Sequence, residues 1–348
     1  MRKYIFTLYI LGLFFPFLGL AQEKSDSSKV EMDSIKSRLQ TLEKFNKKIS
    51  SIIPYLPNVS GYVGIGYAYD DATSNFDVKY ARIDLKGKLP AHFGYRLLID
   101  LYKFKAFDVC IKYNPFNAIN FNIGQFKVPF SIGNVNGPLQ EECIDFPLVI
   151  RKVVYNGIYG ESTSGRDVGI SMYGGFFNHE KYNILDYNIG VFNGNGMNLS
   201  DNNKSKDLSM KLELHPIYGL SISGSYYWGE YGKDYAEIHK WSAGAGYKDK
   251  LCFLRGEYVC NNMSDVKSDG YYVIAGVNLP FKLTPIFRYD TFTKDKSIGD
   301  TEHDYTVGVS YLPFKFLRIQ ANYIRSNYAQ ICEKSNSNQY KMVITGIL

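Results

Sequence analysis

The sequence predicts an all-β protein, a 16-stranded antiparallel transmembrane β-barrel that follows an N-terminal periplasmic helix with coiled-coil spacing. Apolar and polar residues alternate through most of the chain after residue 58, as in a barrel wall with lipid outside and water inside. The 348 residues include 30 Tyr and 23 Phe, which suits aromatic girdles at two membrane interfaces. After the N-terminus, no stretch approaches the ~20 continuous apolar residues of a membrane-spanning helix.

The first 21 residues have the parts of a secretory signal peptide. Arg2 and Lys3 form a basic region, residues 4–20 are mostly apolar, and Gly19-Leu20-Ala21 offers small residues for cleavage. The alternative is a retained anchor helix, which the short apolar core disfavours. No Cys follows the cleavage position, so a lipoprotein is not indicated.

Residues 22–57 are predicted to form a periplasmic helix and a linker. Asn46 takes a core position in the heptad pattern, where a polar residue can fix the register of a coiled coil. Pro54 and Pro57 end the helix. We interpret the helix as an oligomerisation coiled coil, and a lone amphipathic helix is the alternative. The apolar residues at 3-4 spacing are Met32, Ile35, Leu39, Leu42, Ile49 and Ile53.

The segment from residue 58 to residue 348 is predicted to be the barrel. Tight connections alternate along it with longer polar ones, which predicts that both termini are periplasmic and that the longer loops are extracellular. The count of sixteen strands is even, as in bacterial single-chain barrels. The strands are predicted near residues 58–69, 76–89, 93–103, 106–114, 117–127, 166–176, 181–194, 204–215, 217–229, 236–248, 250–262, 269–281, 283–294, 303–313, 316–328 and 338–348.

One connection, residues 128–165, is much longer than the others and is the third extracellular loop in this count. Long loops in compact folds are usually functional. We expect this one to fold inward and constrict the lumen, because it carries apolar anchors that a solvated loop does not need. A disordered surface loop is the alternative. The anchors are Leu139, Ile144, Phe146, Leu148, Ile150, Tyr155 and Tyr159.

Four segments in order resemble the phosphate-selective porin O and P family. They are residues 82–88 (RIDLKGK), residues 123–131 (IGQFKVPFS), residues 166–169 (RDVG) and residues 190–194 (GVFNG). The resemblance spans roughly residues 58–348. It implies a trimeric, 16-stranded outer-membrane channel whose third loop enters the lumen, and a solute site built from an arginine ladder and lysines. It does not place that ladder in the later strands.

Alternation along the strands predicts which charged side chains face the lumen. Basic candidates outnumber acidic ones there, although cross-strand ion pairs are an equally good reading of any single residue. The excess predicts a modest preference for anions. The pore-lining and anion-binding candidates are Arg82, Lys86, Lys88, Arg96, Lys112, Lys127, Arg151, Arg166, Lys211, Arg255, Arg288 and Arg318. The inward acids are Asp84, Asp100, Asp108, Glu213, Glu257 and Asp290.

The sequence therefore predicts a bacterial outer-membrane porin for small anions such as phosphate. A general or neutral-solute porin is the main alternative, and a structural or adhesive barrel is a weaker one. No enzyme is expected, because His303 beside Asp304 lacks a recognisable nucleophile. No metal or other cofactor is expected, and the net charge of +6 does not indicate nucleic-acid binding. Expected partners are outer-membrane lipid, small anionic solutes and two further copies of the chain. A disulfide between Cys143 and Cys332 is left open.

Overall fold

The computed structural model describes residues 27–155, 163–232, 234–332 and 334–348. The predicted signal peptide, residues 1–21, lies outside these residues. The chain divides into two compact units, and the second begins at Tyr55.

The first unit contains helix α1, Ser27–Ile52, followed by a short 3-10 turn, Ile53–Tyr55. Apolar side chains of α1 are exposed, among them those of Leu39, Leu42, Phe45 and Ile52. None of the helices in the described residues is both long enough and apolar enough to span a membrane.

The second unit is a closed barrel of sixteen strands, as the sequence predicts. Each strand pairs antiparallel with its neighbours in the chain, and β1 pairs with β16 to close the sheet. The strands are β1 Asn58–Asp70, β2 Ser74–Lys88, β3 Phe93–Asp100, β4 Lys105–Tyr113, β5 Asn120–Lys127, β6 Arg166–His179, β7 Tyr182–Phe192, β8 Asp207–Leu214, β9 Leu220–Tyr231, β10 Ala236–Lys248, β11 Cys252–Met263, β12 Val266–Val277, β13 Leu283–Thr293, β14 Thr301–Phe314, β15 Leu317–Tyr328 and β16 Ser337–Ile347.

The two faces of the wall follow the alternation of the sequence. On β16, Tyr340, Met342 and Ile344 are exposed on the outer face, whereas Val343 and Thr345 are buried on the inner face. Because successive side chains of a strand point to opposite faces, this pattern places an apolar surface toward lipid.

The connections at the two ends of the barrel differ in length. At the end that carries both barrel termini they are short, and we call it the short-turn end. The opposite end, called the long-loop end, carries the 38-residue connection between β5 and β6. The loop predicted near residues 262–268 is shorter than expected, because β11 ends at Met263 and β12 begins at Val266, so that only residues 264 and 265 connect them. The short-turn connections are residues 89–92, 114–119, 180–181, 215–219, 249–251, 278–282 and 315–316.

Phe107 departs from the predicted alternation, which places it on the outer face. The register of β3 and β4 shifts between Leu98 and Ile99, and this bulge turns Phe107 into the lumen. There its ring lies 4.0 Å from the Arg82 guanidinium carbon. The bulge therefore adds an aromatic side chain to the inner wall.

A candidate pore and its constriction

The described residues of the connection between β5 and β6, 128–155 and 163–165, lie inside the barrel, and the predicted anchor Tyr159 lies outside the described residues. The connection includes a short helix, α2, Ile132–Val135, and a π-helical turn, Ile150–Tyr155. Residues of this segment contact inner-face side chains of strands from β8 to β16, so the segment occupies one side of the lumen. We call residues 128–165 the constriction loop.

One anchor of the constriction loop is a buried carboxylate on β11. Oε1 of Glu257 accepts the backbone N–H of Ile132 at 2.8 Å, and Oε2 accepts the N–H of Gly133 at 3.1 Å. The hydroxyl groups of Ser131 and Tyr272 also donate to Oε2, at 3.0 and 3.2 Å. A carboxylate that accepts several donors in a buried site forms stronger hydrogen bonds than a neutral group does.

A second set of anchors consists of arginines that donate to loop carbonyls. Arg318 on β15 donates to the carbonyl oxygens of Pro138 and Leu139 at 3.2 and 3.1 Å, and also to that of Glu141. Arg288 on β13 donates to the carbonyl oxygen of Asp145 at 2.6 Å. These guanidinium groups supply donors to the irregular backbone of the loop, which has no strand partner.

Ion pairs join the same loop to the wall. Arg255 lies 3.3 Å from Glu141 and 3.0 Å from Glu142, and Lys341 lies 2.6 Å from Asp145. Burial raises the pKa of Glu141, and Arg255 opposes this effect. Burial also disfavours ionisation of Asp145, but Lys341 and Arg151 outweigh it and hold the pKa of this carboxyl well below its usual value.

An apolar core also holds the constriction loop. Leu148, Val149 and Ile150 are completely buried. They pack against inward-facing apolar side chains of β11–β13, an arrangement unlike the water-lined wall of an open pore. Burying such side chains contributes about 1.5–3 kcal/mol each. The wall members of this core are Phe253, Val259, Tyr272, Ile274, Ile286 and Phe292.

Three predicted pore-lining residues therefore have a different position from the one expected. All three point inward, but Arg288 and Arg318 are buried, and Arg255 is partly buried, between the wall and the constriction loop. They do not line an open path, because the loop covers them. Arg151 lies on the loop beside Asp304 at 3.5 Å, and Lys211 is buried in an ion pair with Glu213 at 2.9 Å.

The open side of the lumen lies between the constriction loop and strands β1–β6. A cavity of about 370 Å³ is present there. Its charged lining consists of five basic side chains and one acidic side chain. These are Arg82, Lys86, Arg96, Lys127, Arg166 and Asp84.

Carboxylates on the same wall hold three arginines of this cavity in place. Asp108 contacts Arg96 at 2.6 Å and Arg166 at 2.7 Å. Asp100 contacts Arg82 at 3.2 Å. Asp100 and Asp108 are buried, so they fix the guanidinium groups without facing the cavity themselves.

Lys127 bridges the wall and the constriction loop. Its ammonium donates to the carbonyl oxygens of Asn134 and Asn136, and lies 5.9 and 6.0 Å from the ring centroids of Phe146 and Tyr155. Lys127 is thus partly committed to holding the loop, although it also borders the open cavity.

A second basic cavity, of about 510 Å³, lies at the short-turn end. Lys88 and Lys112 line it, and neither forms an ion pair among the described residues. No Asp or Glu lines it. Lys86 and Arg96 border both this cavity and the one at the constriction. Basic side chains therefore follow one wall of the lumen from the constriction to the short-turn end.

The arrangement of the lumen was only partly visible in the sequence. Residues 271–277 are apolar or small at nearly every position, on both faces of the strand. Such a run indicates a strand that is buried on both sides, and it could have located the wall that receives the constriction loop. The sequence predicts Glu257 as an acid that faces the lumen. It does not predict that this carboxylate accepts amide groups of the constriction loop, because those contacts depend on tertiary structure.

Comparison with known proteins agrees with this architecture. The sequence profile of the phosphate-selective porin O and P family matches residues 65–239 and 227–345. No curated protein sequence matches the chain. The structure is similar to the anion-selective porin from Comamonas acidovorans, with 13% identity and a TM-score of 0.64 over 84% of this chain and 99% of that one.

Two further structures share the fold. OmpF of Salmonella typhi, solved with daunomycin, is 14% identical, with a TM-score of 0.65 over 85% of this chain and 98% of that one. The trimer form of the outer membrane protein OmpT of Vibrio cholerae is 10% identical, with a TM-score of 0.60 over 84% of this chain and 99% of that one. At these identities the likeness concerns the fold. The fold and the family are those of a channel rather than an enzyme, and the chain belongs to the phosphate-selective porin O and P family of outer-membrane porins.

Proposed function

We propose that the porin passes small anions, with phosphate as the favoured class of solute, along the basic wall of its lumen. The observation that carries the proposal is the charge of the open cavity, with five basic side chains and one acidic one. When the buried Asp100 and Asp108 behind it are counted, the basic side chains still exceed the acidic ones by two. Charged rings in narrow pores favour ions of opposite sign, and low-dielectric walls focus the field.

Three guanidinium groups support phosphate as the solute. Arg82, Arg96 and Arg166 border the cavity, and carboxylates hold each of them. A guanidinium carries five N–H donors in a planar fork that suits phosphate oxygens. Asp84 accepts from Nε and Nη2 of Arg96, each at 2.9 Å, so the N–H groups that the carboxylates leave free are the ones offered to an anion. Fixed donors of this kind lose little side-chain freedom when an anion arrives.

The orientation and assembly of the porin are part of the proposal. The short-turn end of the barrel faces the periplasm, and α1 is a periplasmic helix. The exposed Leu39, Leu42 and Phe45 suit contacts between helices of neighbouring copies. The fold shared with OmpT of Vibrio cholerae, an outer membrane protein in trimer form, supports a homotrimer.

A specific observation favours passage of neutral polar solutes as the second candidate. A cavity of about 340 Å³ lies on the other side of Lys127, with two lysines and two acidic residues in its lining. With balanced charge and several amide groups, this cavity suits hydrogen bonding to neutral solutes better than selection of ions by their charge. The amides belong to Asn117, Asn120, Asn183 and Asn188.

We further propose that the porin has no catalytic activity. His303, the histidine considered for catalysis, stacks on Tyr289 at an interplanar angle of 12°. Its Nδ1 lies 2.9 Å from the Tyr289 hydroxyl oxygen. Both residues lie on the outer face of the wall, whereas Arg288, Asp290 and Asp304 face the lumen, so the imidazole belongs to the aromatic outer surface.

The test is the reversal potential of single channels of the purified protein in a planar bilayer under a KCl gradient. We expect the sign of an anion-preferring pore and a reduced chloride current when phosphate is added. A pore that prefers cations would contradict the proposal. A pore without preference that is unaffected by phosphate, but which admits sugars in liposome-swelling assays, would favour the second candidate.

A further inference from the structure

Three neighbouring turns at the short-turn end share an unusual composition. The sequence Leu-Pro-Phe-Lys occurs twice, at residues 279–282 and 312–315, and the structure places both copies at this end. The connection between β10 and β11 adds Lys250 and Leu251. Each of the three turns thus combines a lysine with a large apolar side chain, and neither the pore nor the constriction uses them.

The apolar side chains of these turns are strongly exposed. Phe281 is 90% exposed, Leu251 is 70% exposed and Phe316 is 61% exposed. Phe281 and Lys282 also have φ angles of +64° and +62°, a left-handed conformation that non-glycine residues rarely adopt. The turn therefore holds a costly backbone conformation that presents a phenyl ring and an ammonium group outward.

The charge of the three turns is positive. Lys250, Lys282 and Lys315 are exposed and form no ion pair among the described residues. Lys282 reaches the neighbouring turn and donates to the carbonyl oxygen of Pro313 at 3.4 Å. The one acidic residue, Asp249, is engaged within its own turn, where Oδ1 accepts the N–H groups of Leu251 and Cys252, each at 2.7 Å.

The turns continue directly from the apolar outer wall of the same strands. Leu254, Val277 and Tyr311 are exposed on that outer face, close to the strand ends. The turns therefore lie where a lipid hydrocarbon layer gives way to headgroups. Aromatic side chains are typical of this level of a membrane, and lysines there attract anionic lipids.

We propose that these three turns form a docking surface for anionic phospholipid, whose phosphodiester accepts the lysines while the exposed phenyl and leucyl groups enter the interface. The surface consists of Lys250, Leu251, Phe281, Lys282, Lys315 and Phe316, and we call it the lysine rim. Assignment of the rim to the periplasmic leaflet rests on the proposed orientation of the porin. The lipid preference itself does not depend on that orientation.

The test uses full-length porin equilibrated in vesicles of equal phosphatidylglycerol and phosphatidylcholine with the same acyl chains. The lipids that remain bound after mild detergent extraction are counted by native mass spectrometry. We expect phosphatidylglycerol to be enriched, by roughly fivefold for each lysine engaged. The variant Lys250→Gln, Lys282→Gln, Lys315→Gln should retain the two lipids nearly equally.

The matched control is Lys204→Gln, Lys294→Gln, Lys334→Gln, which removes three lysines from the long-loop end. It should keep the enrichment. The proposal is overturned if the unaltered porin shows no enrichment, or if the control variant loses as much as the rim variant. Single-channel reversal potentials of the same preparations report on solute selectivity separately, so a cation-preferring pore would reject the proposed function and leave the lipid result standing.

Discussion

Oε1 of Glu257 lies 2.8 Å from the backbone nitrogen of Ile132, and this contact joins the middle of β11 to the first residue of α2. The two residues are 125 positions apart in the chain. The contact fixes the start of the constriction loop against the far wall, and three further groups, the N–H of Gly133 and the hydroxyls of Ser131 and Tyr272, donate to the same carboxylate. Its removal should therefore change the width of the pore.

Glu257→Ala should increase single-channel conductance or make it fluctuate between levels. The substitution leaves the amides of Ile132 and Gly133 and the Ser131 hydroxyl without their acceptor, and a hydrogen bond to a charged group contributes about 1.5–3 kcal/mol. The matched control is Glu213→Ala, whose carboxylate pairs with Lys211. Conductance identical in Glu257→Ala and the unaltered porin would show that the apolar core alone holds the loop.

Arg82→Gln combined with Lys86→Gln should move the reversal potential toward cations without widening the pore. Both side chains border the open cavity. Arg82 pairs with Asp100 and Lys86 with Asp84, so the ionic partners of both lie on the barrel wall and not on the constriction loop. The selectivity of the unaltered porin should also fade near 1 M salt, where the Debye length falls to about 3 Å. An unchanged reversal potential in the double variant would mean that this wall does not control permeation.

Arg318→Met should alter the single-channel conductance and leave the reversal potential nearly unchanged. This is the opposite of the result expected for the Arg82 and Lys86 variant. Arg318 donates to carbonyl oxygens of residues 138, 139 and 141 and is buried beneath the loop. Its loss should free the loop rather than remove charge from the open path. The contrast with Arg82 separates residues that position the loop from residues that meet the solute. A shift of reversal potential as large as that of the Arg82 and Lys86 variant would contradict the division.

An epitope inserted between Ser200 and Asn203 should be accessible to antibody on intact cells, and one inserted at Asp249 should not. The first position lies in the connection between β7 and β8 at the long-loop end, and the second lies in a turn at the short-turn end. The experiment therefore tests orientation directly. Labelling of only the Asp249 insertion would reverse the proposed orientation.

Deletion of residues 27–52 should reduce the yield of cross-linked trimer while the barrel still forms. Barrel stability comes from closed strand pairing, to which α1 contributes no strand. Heat-modifiable migration on gels provides a check that the barrel is intact. Equal trimer yields with and without the helix would show that α1 does not drive assembly.

Strand number and antiparallel order were accessible from sequence because most strands carry their own period-two signal. β10 was predicted at its observed bounds, and most other strands within a few residues. Phe107 was misplaced because a bulge changes the parity of a strand without leaving a distinct residue pattern. Local alternation is therefore sufficient to predict the strands of the wall but not the bulges within them.

The division of the lumen was not accessible in the same way. Arg82 and Arg318 both alternate with apolar neighbours, so the sequence gives both the same lumen-facing position. They differ because a segment nearly 180 positions away in the chain covers Arg318 and leaves the cavity beside Arg82 open. The five cysteines are free thiols, and Cys143 and Cys332 are therefore not joined.

The packed core inside the barrel makes the aperture eccentric and stationary. Side chains of β8–β16 hold the described part of the constriction loop, so a size limit for solutes can be built in at folding without a moving gate. Substitutions along β2–β4 can then alter which solutes pass while the packed half keeps its geometry. New permeation properties can arise in this half of the barrel without loss of the scaffold that sets the size limit.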